Sequence, residues 1–247
     1  MVRRALLLVI AIMLAIPVTA AAQMTFRLRG TVRDNDGKPV AGVKVHAEAI
    51  KGFRGEQFVG QKEFEVTTGE RGEWVILGLT SGVWSFEATG PDIIPQVVVL
   101  PVSFTNRKPQ SAHGGALPWD LPLSVRRSKN EALTSAANAA MAKKSDEAVA
   151  AIGGLAGDQD PEVLCAAGEL ALLVRQNGLA SAIFNQILQK DPKHRCGTLG
   201  AASTALMQGD LDLASKMFWT ATEAAPREQK PALGAALRDL QAVAGYK

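Results

Sequence analysis

Cysteine, histidine and aromatic residues are scarce in this chain of 247 residues, which holds two cysteines, three histidines, one tyrosine and 5% aromatics overall. Two cysteines exclude a disulfide-dense mini-protein and cannot build a four-cysteine zinc site. A dominant charge is also missing, since 27 basic and 24 acidic side chains leave a formal net charge of +3. That balance excludes a nucleic-acid-binding polycation. With 47% hydrophobic and 21% charged residues, long disorder is excluded too, and the length allows one or two domains with cores of their own.

Familiar catalytic motifs are absent as well. The sequence has no His-x-x-Glu pair, no Gly-x-Ser-x-Gly and no phosphate-binding glycine loop. His194 and Cys196 could offer two metal ligands, but no further ligand lies close in sequence. Asp158 and Asp160 stand at a helix start, where carboxylates cap and complement the dipole. The expectation is a protein that is not an enzyme, with no catalytic, cofactor or metal residues.

What is present begins with a leader. Arg3 and Arg4 precede an uncharged apolar run from Ala5 to Ile16, Pro17 breaks it, and Ala20-Ala21-Ala22 offers a small-residue cleavage site. The run has about 12 residues where a membrane span needs about 20. Residues 1–22 therefore read as a signal peptide cleaved after Ala22, placing the protein in the periplasm or outside the cell. Loss of the two arginines lowers the net charge from +3 to +1, and no second stretch could span a membrane.

The remainder divides near Ser128 into two halves with different periods. Residues 23–127 read as β structure, and 128–247, dense in alanine, read as helix. In the first half Phe26, Leu28, Gly30 and Val32 alternate with polar residues, and Asp34-Asn35-Asp36-Gly37 supplies a turn. Calcium ligation there is not expected, for want of a glutamate at EF-hand spacing. Trp74, Ile76 and Leu79 precede Gly82; Trp84, Phe86 and Ala88 follow at every second position, as on the inner face of a sheet. Leu121–Val125 is predicted as the last strand. Trp119 lacks such aliphatic alternation, so it is either an exposed aromatic that could stack on a glycan or a plug at the sandwich end or domain interface.

The runs Gly30–Val45 and Thr68–Trp84 resemble the carboxypeptidase regulatory-like domain over roughly residues 26–127. That resemblance implies a seven-stranded antiparallel β-sandwich of the transthyretin-like, carbohydrate-binding-like kind, a module often appended to secreted bacterial proteins, with no fixed sugar site to transfer.

Phe184 and Phe218 are 34 residues apart, as are Ala180 and Ala214, and Pro192 and Pro226, so stacking of repeats is expected to bury both phenylalanines between helices. The series Gly200, Ala201, Gly209, Ala214, Phe218, Ala221 and Pro226 resembles the tetratricopeptide repeat. The copy before it carries Arg175 where the inter-helix glycine is expected and Gly178 three residues later, which predicts a displaced turn. Together the two resemblances imply a multidomain β + α protein, a β-sandwich followed by an α-helical tetratricopeptide-like solenoid. By the repeat's spacing, a concave groove would be lined by Glu162, Glu169, Leu172, Leu173, Leu199, Ser203, Leu206 and Met207. Such a groove suits an apolar or mildly basic peptide, or packs on the sandwich. Cys165 and Cys196 fall on the first helices of adjacent repeats, a placement that permits a disulfide in an oxidising compartment or two buried free thiols.

The function expected from these features is that of a noncatalytic, exported scaffold of the bacterial cell envelope that binds a protein or peptide partner in the helical groove. The alternative is a carbohydrate-binding envelope protein that uses the sandwich. No nucleic-acid partner is expected.

Overall fold

The computed structural model describes residues 26–52, 62–103, 116–227 and 229–244. The signal-peptide reading of residues 1–22 lies outside them, as does the side chain of Trp119. Seven strands come first among the described residues: β1 (Phe26–Arg33), β2 (Lys44–Lys51), β3 (Glu63–Thr67), β4 (Glu73–Leu79), β5 (Gly82–Thr89), β6 (Gln96–Val102) and β7 (Ala116–Ser124). Seven helices follow: α1 (Glu131–Met141), α2 (Ser145–Leu155), α3 (Pro161–Leu173), α4 (Asn177–Lys190), α5 (Arg195–Gln208), α6 (Leu211–Ala224) and α7 (Lys230–Ala244). None of these helices is long and apolar enough to cross a membrane.

The strands form a three-stranded sheet in the order β4-β1-β7 and a four-stranded sheet in the order β3-β2-β5-β6. The alternation read from the sequence sets the inner faces, and Leu28, Val32, Trp74, Ile76, Trp84 and Phe86 are buried. Leu79 falls out of step with Trp74 and Ile76, yet it too is buried. A register irregularity explains this: Arg27 pairs with Leu77 but Phe26 pairs with Leu79, so Gly78, at φ +100°, is the extra residue of a bulge. Gly30 is needed for a different reason, because a Cβ there would lie 2.5 Å from Cζ2 of the Trp74 indole. The predicted turn forms at Asp34, whose carboxylate accepts from the Asp36 and Lys38 amides at 3.0 and 2.9 Å.

Two features overturn the expected architecture. First, the sheets are not wholly antiparallel, because β1 and β7 pair in parallel, with Arg29 opposite Asp120 and Val32 opposite Leu123. Alternation reports which face a residue occupies and is silent on strand direction. Second, β6 is buried on both faces along its whole length, as the continuous run Val97-Val98-Val99-Leu100 requires. Gln96 of β6 accepts from the Ser124 amide of β7 in the three-stranded sheet, and α3, α5 and α7 also pack against β6.

Sheet and helix residues thus share one continuous hydrophobic core, from Leu28 and Trp84 through Val99 to Leu172, Phe184 and Leu206. The arrangement is an α+β fold in place of a β-sandwich joined to a freestanding solenoid. An amphipathic helix buries its apolar stripe on whatever surface is at hand, and here the sheet takes the face that a solenoid would leave concave and open. Hydrogen bonds stitch the layers: the Val99 amide donates to Ser203 Oγ at 3.2 Å, and the Ser103 amide to Asp239 Oδ2 at 3.0 Å.

The predicted displacement of the α3–α4 turn to Gly178 is also overturned. Gly178 lies in the first turn of α4, and Arg175 itself takes the left-handed conformation at φ 60°. This conformation costs a non-glycine residue about 1–2 kcal/mol. The arginine side chain offsets that cost by bonding Glu48 of β2 and Glu87 of β5.

Candidate functional site

The eight residues predicted to line a groove lie on α3 and α5, but the sheet already covers that face. Leu172 and Leu206 are fully buried, Glu169 and Ser203 are buried, Leu173, Leu199 and Met207 are half-buried, and Glu162 is exposed. The groove is therefore occupied by the chain's own β6, and of the eight residues Glu162 alone, at its edge, is exposed.

At that edge a polar cluster is built into the sheet–helix junction. Asp160 caps α3 and Pro161 opens it. Glu162, Cys165 and Glu169 then recur at spacings of three and four, which puts them on one helix face. Cys196 is the second residue of α5, whose N-cap is His194. The structure joins Cys165 and Cys196 in a disulfide, with Cα atoms 6.1 Å apart. His194 serves as the helix cap, its Nδ1 accepting the Gly197 amide at 3.4 Å.

Sequence reasoning missed the residue at the centre. Arg126, just beyond β7, is held by an isolated bridge to Ile94. Its guanidinium spreads over three partners. Nη1 bonds Glu169 Oε2, Nη2 donates to Cys165 Sγ at 3.3 Å, and Nε lies 3.5 Å from Glu162 Oε2. The Arg126 and Glu169 side chains are only 14% and 8% exposed. Burial works against the charge on Arg126, and the two carboxylates outweigh it, raising the guanidinium above its ordinary value. Nothing in the Arg126-Arg127 pair marks the first arginine as internal; only the tertiary packing does.

Cys165, Glu169 and Cys196 place possible ligand atoms within 4.8 Å of one another. The disulfide uses both sulfurs and Arg126 sits on the carboxylate, so in this state the group is unsuited to a cation. A cavity of about 40 Å³ adjoins it, lined among others by Arg126, Glu169, Arg195, Cys196, Leu199 and Gln229. That volume holds a few waters or one small side chain.

A second polar cluster joins the four-stranded sheet to the helices. His46 Nδ1 lies 3.4 Å from Glu87 Oε2, and Glu87 also meets Arg175 and Ser85. The hydrogen bond to Glu87 raises the His46 pKa above 6.5, burial opposes, and the charges of Glu87, Glu48 and Glu63 add to the rise; Arg175 is the cation that shares those carboxylates. A raised folded-state value means that the stabilisation is complete below the ordinary histidine value and fades as pH rises through the folded one. Between about pH 6 and 8, the urea midpoint of the wild-type protein is expected to fall, and His46→Gln to flatten that part of the profile. Equal slopes for the two proteins would refute it.

Among the large hydrophobics that are exposed, Val75 and Leu77 stand on β4, and Trp219 and Leu213 on α6. The 34-residue spacing identified Phe218 as core and left its neighbour Trp219 unremarked, although the next residue on a helix points about 100° away. Trp219 borders a surface cleft with Lys193, Thr220 and Glu223.

No family model and no curated protein matches the chain. Among solved structures, the 3-chlorocatechol 1,2-dioxygenase of Rhodococcus opacus 1CP is similar at 11% identity and a TM-score of 0.32, over 43% of this chain and 61% of that one. The catechol 1,2-dioxygenase of Pseudomonas arvilla C-1 is similar at 11% identity and 0.33, over 46% and 56%. The dioxygenase domain of a dioxygenase carbohydrate-binding protein fusion from Streptomyces sp. SirexAA-E is similar at 14% identity and 0.32, over 45% and 85%. The chain thus spans about six tenths of the length of the first of these. Their names are those of enzymes, and missing motifs do not exclude activity, so the expectation of a noncatalytic chain is not kept. At such TM-scores the likeness carries no dioxygenase chemistry over to this chain.

Proposed function

We propose that the chain is an exported protein of the bacterial cell envelope that binds a partner protein on the outer face of the β4-β1-β7 sheet. The observation that carries this reading is the apolar pair Val75 and Leu77, 44% and 64% exposed. They stand opposite Arg29 and Arg27 across the β1–β4 pairing. Exposed apolar side chains framed by Arg27 and by the Arg29–Asp120 pair suit a protein segment that carries both apolar groups and carboxylates. The leader-like residues 1–22, the disulfide and the resemblance of residues 26–127 to the carboxypeptidase regulatory-like domain support an extracytoplasmic location.

A photo-crosslinking residue at position 77, in the full chain expressed in its native envelope, tests the proposal. A discrete adduct mapping to an acidic segment is expected, with its yield reduced at least tenfold or so by Arg27→Glu/Arg29→Glu. An adduct indifferent to charge reversal, or none at all, removes this surface from consideration.

One observation favours a glycan as a second ligand. The indole of Trp219 is 59% exposed beside Lys193, Thr220 and Glu223, offering a flat apolar surface for a sugar ring with hydrogen-bonding groups at its rim. Quenching of tryptophan fluorescence by envelope polysaccharide, abolished in Trp219→Ala, is the expected sign. Quenching that survives this substitution counts against the site.

A further inference from the structure

A disulfide that only staples two helices needs no charged group at its sulfur and no approach from outside. The Cys165–Cys196 bond has both. Cys165 Sγ is fully buried and accepts from Arg126 Nη2 at 3.3 Å, whereas Cys196 is half-buried and forms part of the cavity wall. The two sulfurs are therefore unequal, one reachable and the other cushioned by a cation.

We infer that Cys165–Cys196 is a thiol–disulfide exchange centre that accepts electrons from a protein dithiol, with Cys196 as the sulfur attacked and Cys165 as the leaving group. The incoming thiolate bonds to Cys196 Sγ as the bond to Cys165 Sγ breaks, and the electron pair passes to Cys165. The second thiol of the partner, once deprotonated, attacks its own sulfur in the mixed disulfide and releases Cys196. The partner ends as a disulfide. This protein gains two electrons and, at neutral thiols, the two protons that the partner gave up.

Each part of the site suits one step. Exchange is faster when the departing sulfur is stabilised as a thiolate, and Arg126 supplies a fixed donor and a positive charge at Cys165. The released Cys196 sulfur lies in the first turn of α5, where the helix N-terminus favours negative charge. Glu169 Oε1, 4.0 Å from it, can take a hydrogen bond from the Cys196 thiol once protonated. Arg195 joins Arg126 on the cavity wall and favours entry of a thiolate. The cavity beside Cys196 gives the CH2–S of a cysteine a way to the attacked sulfur. The inference stands apart from the partner-binding face, because Val75 and Leu77 stand on β4, whereas the cavity is bordered by β7 at the opposite edge of that sheet.

The test uses the full chain and dithiothreitol as the probe dithiol. The disulfide is expected to open while near-ultraviolet circular dichroism still reports the native fold. Cys165→Ser, which leaves Cys196 free, should form a mixed disulfide with an aromatic disulfide reagent on the order of a hundredfold faster than Cys196→Ser. Arg126→Met/Glu169→Met removes both charges together, so that neither is left buried alone, and should slow opening by dithiothreitol roughly tenfold. Reduction that occurs only after unfolding in denaturant, or equal rates for the two single-cysteine variants, overturns the inference. An unchanged opening rate in the doubly neutralised variant overturns the role of Arg126.

Discussion

Arg126→Met is expected to cost about 3–5 kcal/mol of stability, because it leaves Glu169 buried in α3 without its counter-charge. The side chain of Glu169 is 8% exposed, so water from the adjoining cavity replaces the guanidinium only in part. Burial already pushes that carboxyl above its ordinary value against the pull of Arg126. Without the arginine, protonation is its way out of an unfavourable charge. Removing both members tells the loss of a partner from the loss of packing. Arg126→Met/Glu169→Met should recover most of the deficit, since a buried ion pair and a well-packed apolar pair of similar volume are often close in free energy. Urea unfolding of the two variants beside the wild type checks this, and a double variant as unstable as the single would show that the cost lies in shape.

The second large effect centres on Phe184. Its ring is fully buried between α3 and α5 and lies against Gly168 and Gly200. A Cβ on Gly168 would stand 2.6 Å from ring carbon Cε1, so the glycine is there to admit the ring. Phe184→Ala is expected to cost about 3–5 kcal/mol through lost burial and the cavity left behind. Gly168→Ala alone should cost about 1–3 kcal/mol by overpacking. Placed in the Phe184→Ala background, the same Gly168→Ala change should turn neutral or stabilising, because alanine is better than glycine in a helix interior by about 1 kcal/mol. A sign that does not change between the two backgrounds, read from thermal or urea unfolding, would show that the ring does not set the size of residue 168.

The same two sites show what was legible in the sequence. The 34-residue spacing placed Phe184 and Phe218 as equivalent buried residues, and both are fully buried. Alternation placed Leu28, Trp74, Ile76, Trp84 and Phe86 on inner faces, where they lie. What covers an apolar stripe is another matter, since a period identifies a face and not its neighbour. Leu172 and Leu206 read equally well as the floor of a peptide groove or as a seat for β6. Charges were harder still. Glu162 and Glu169 were visible as a pair on one helix face, while Arg126, the cation between them, comes from the far end of the β portion. Arg175 looked like a poor substitute for a turn glycine until Glu48 and Glu87, distant in sequence, supplied its partners.

The parallel pairing of β1 with β7 has a consequence for how the molecule folds. β1 lies between β4 and β7, and its Arg29 meets Asp120 from 91 residues later in the chain. Pairings of such sequence separation carry a large loop-closure entropy before any contact repays it, and they slow folding. The central strand of the smaller sheet is the first of the described strands to be made during synthesis, yet it stays half-paired until β7 has emerged. Chain growth past β7 thus acts as a timer, and the segment most prone to pair wrongly with another molecule's edge is the one that waits longest.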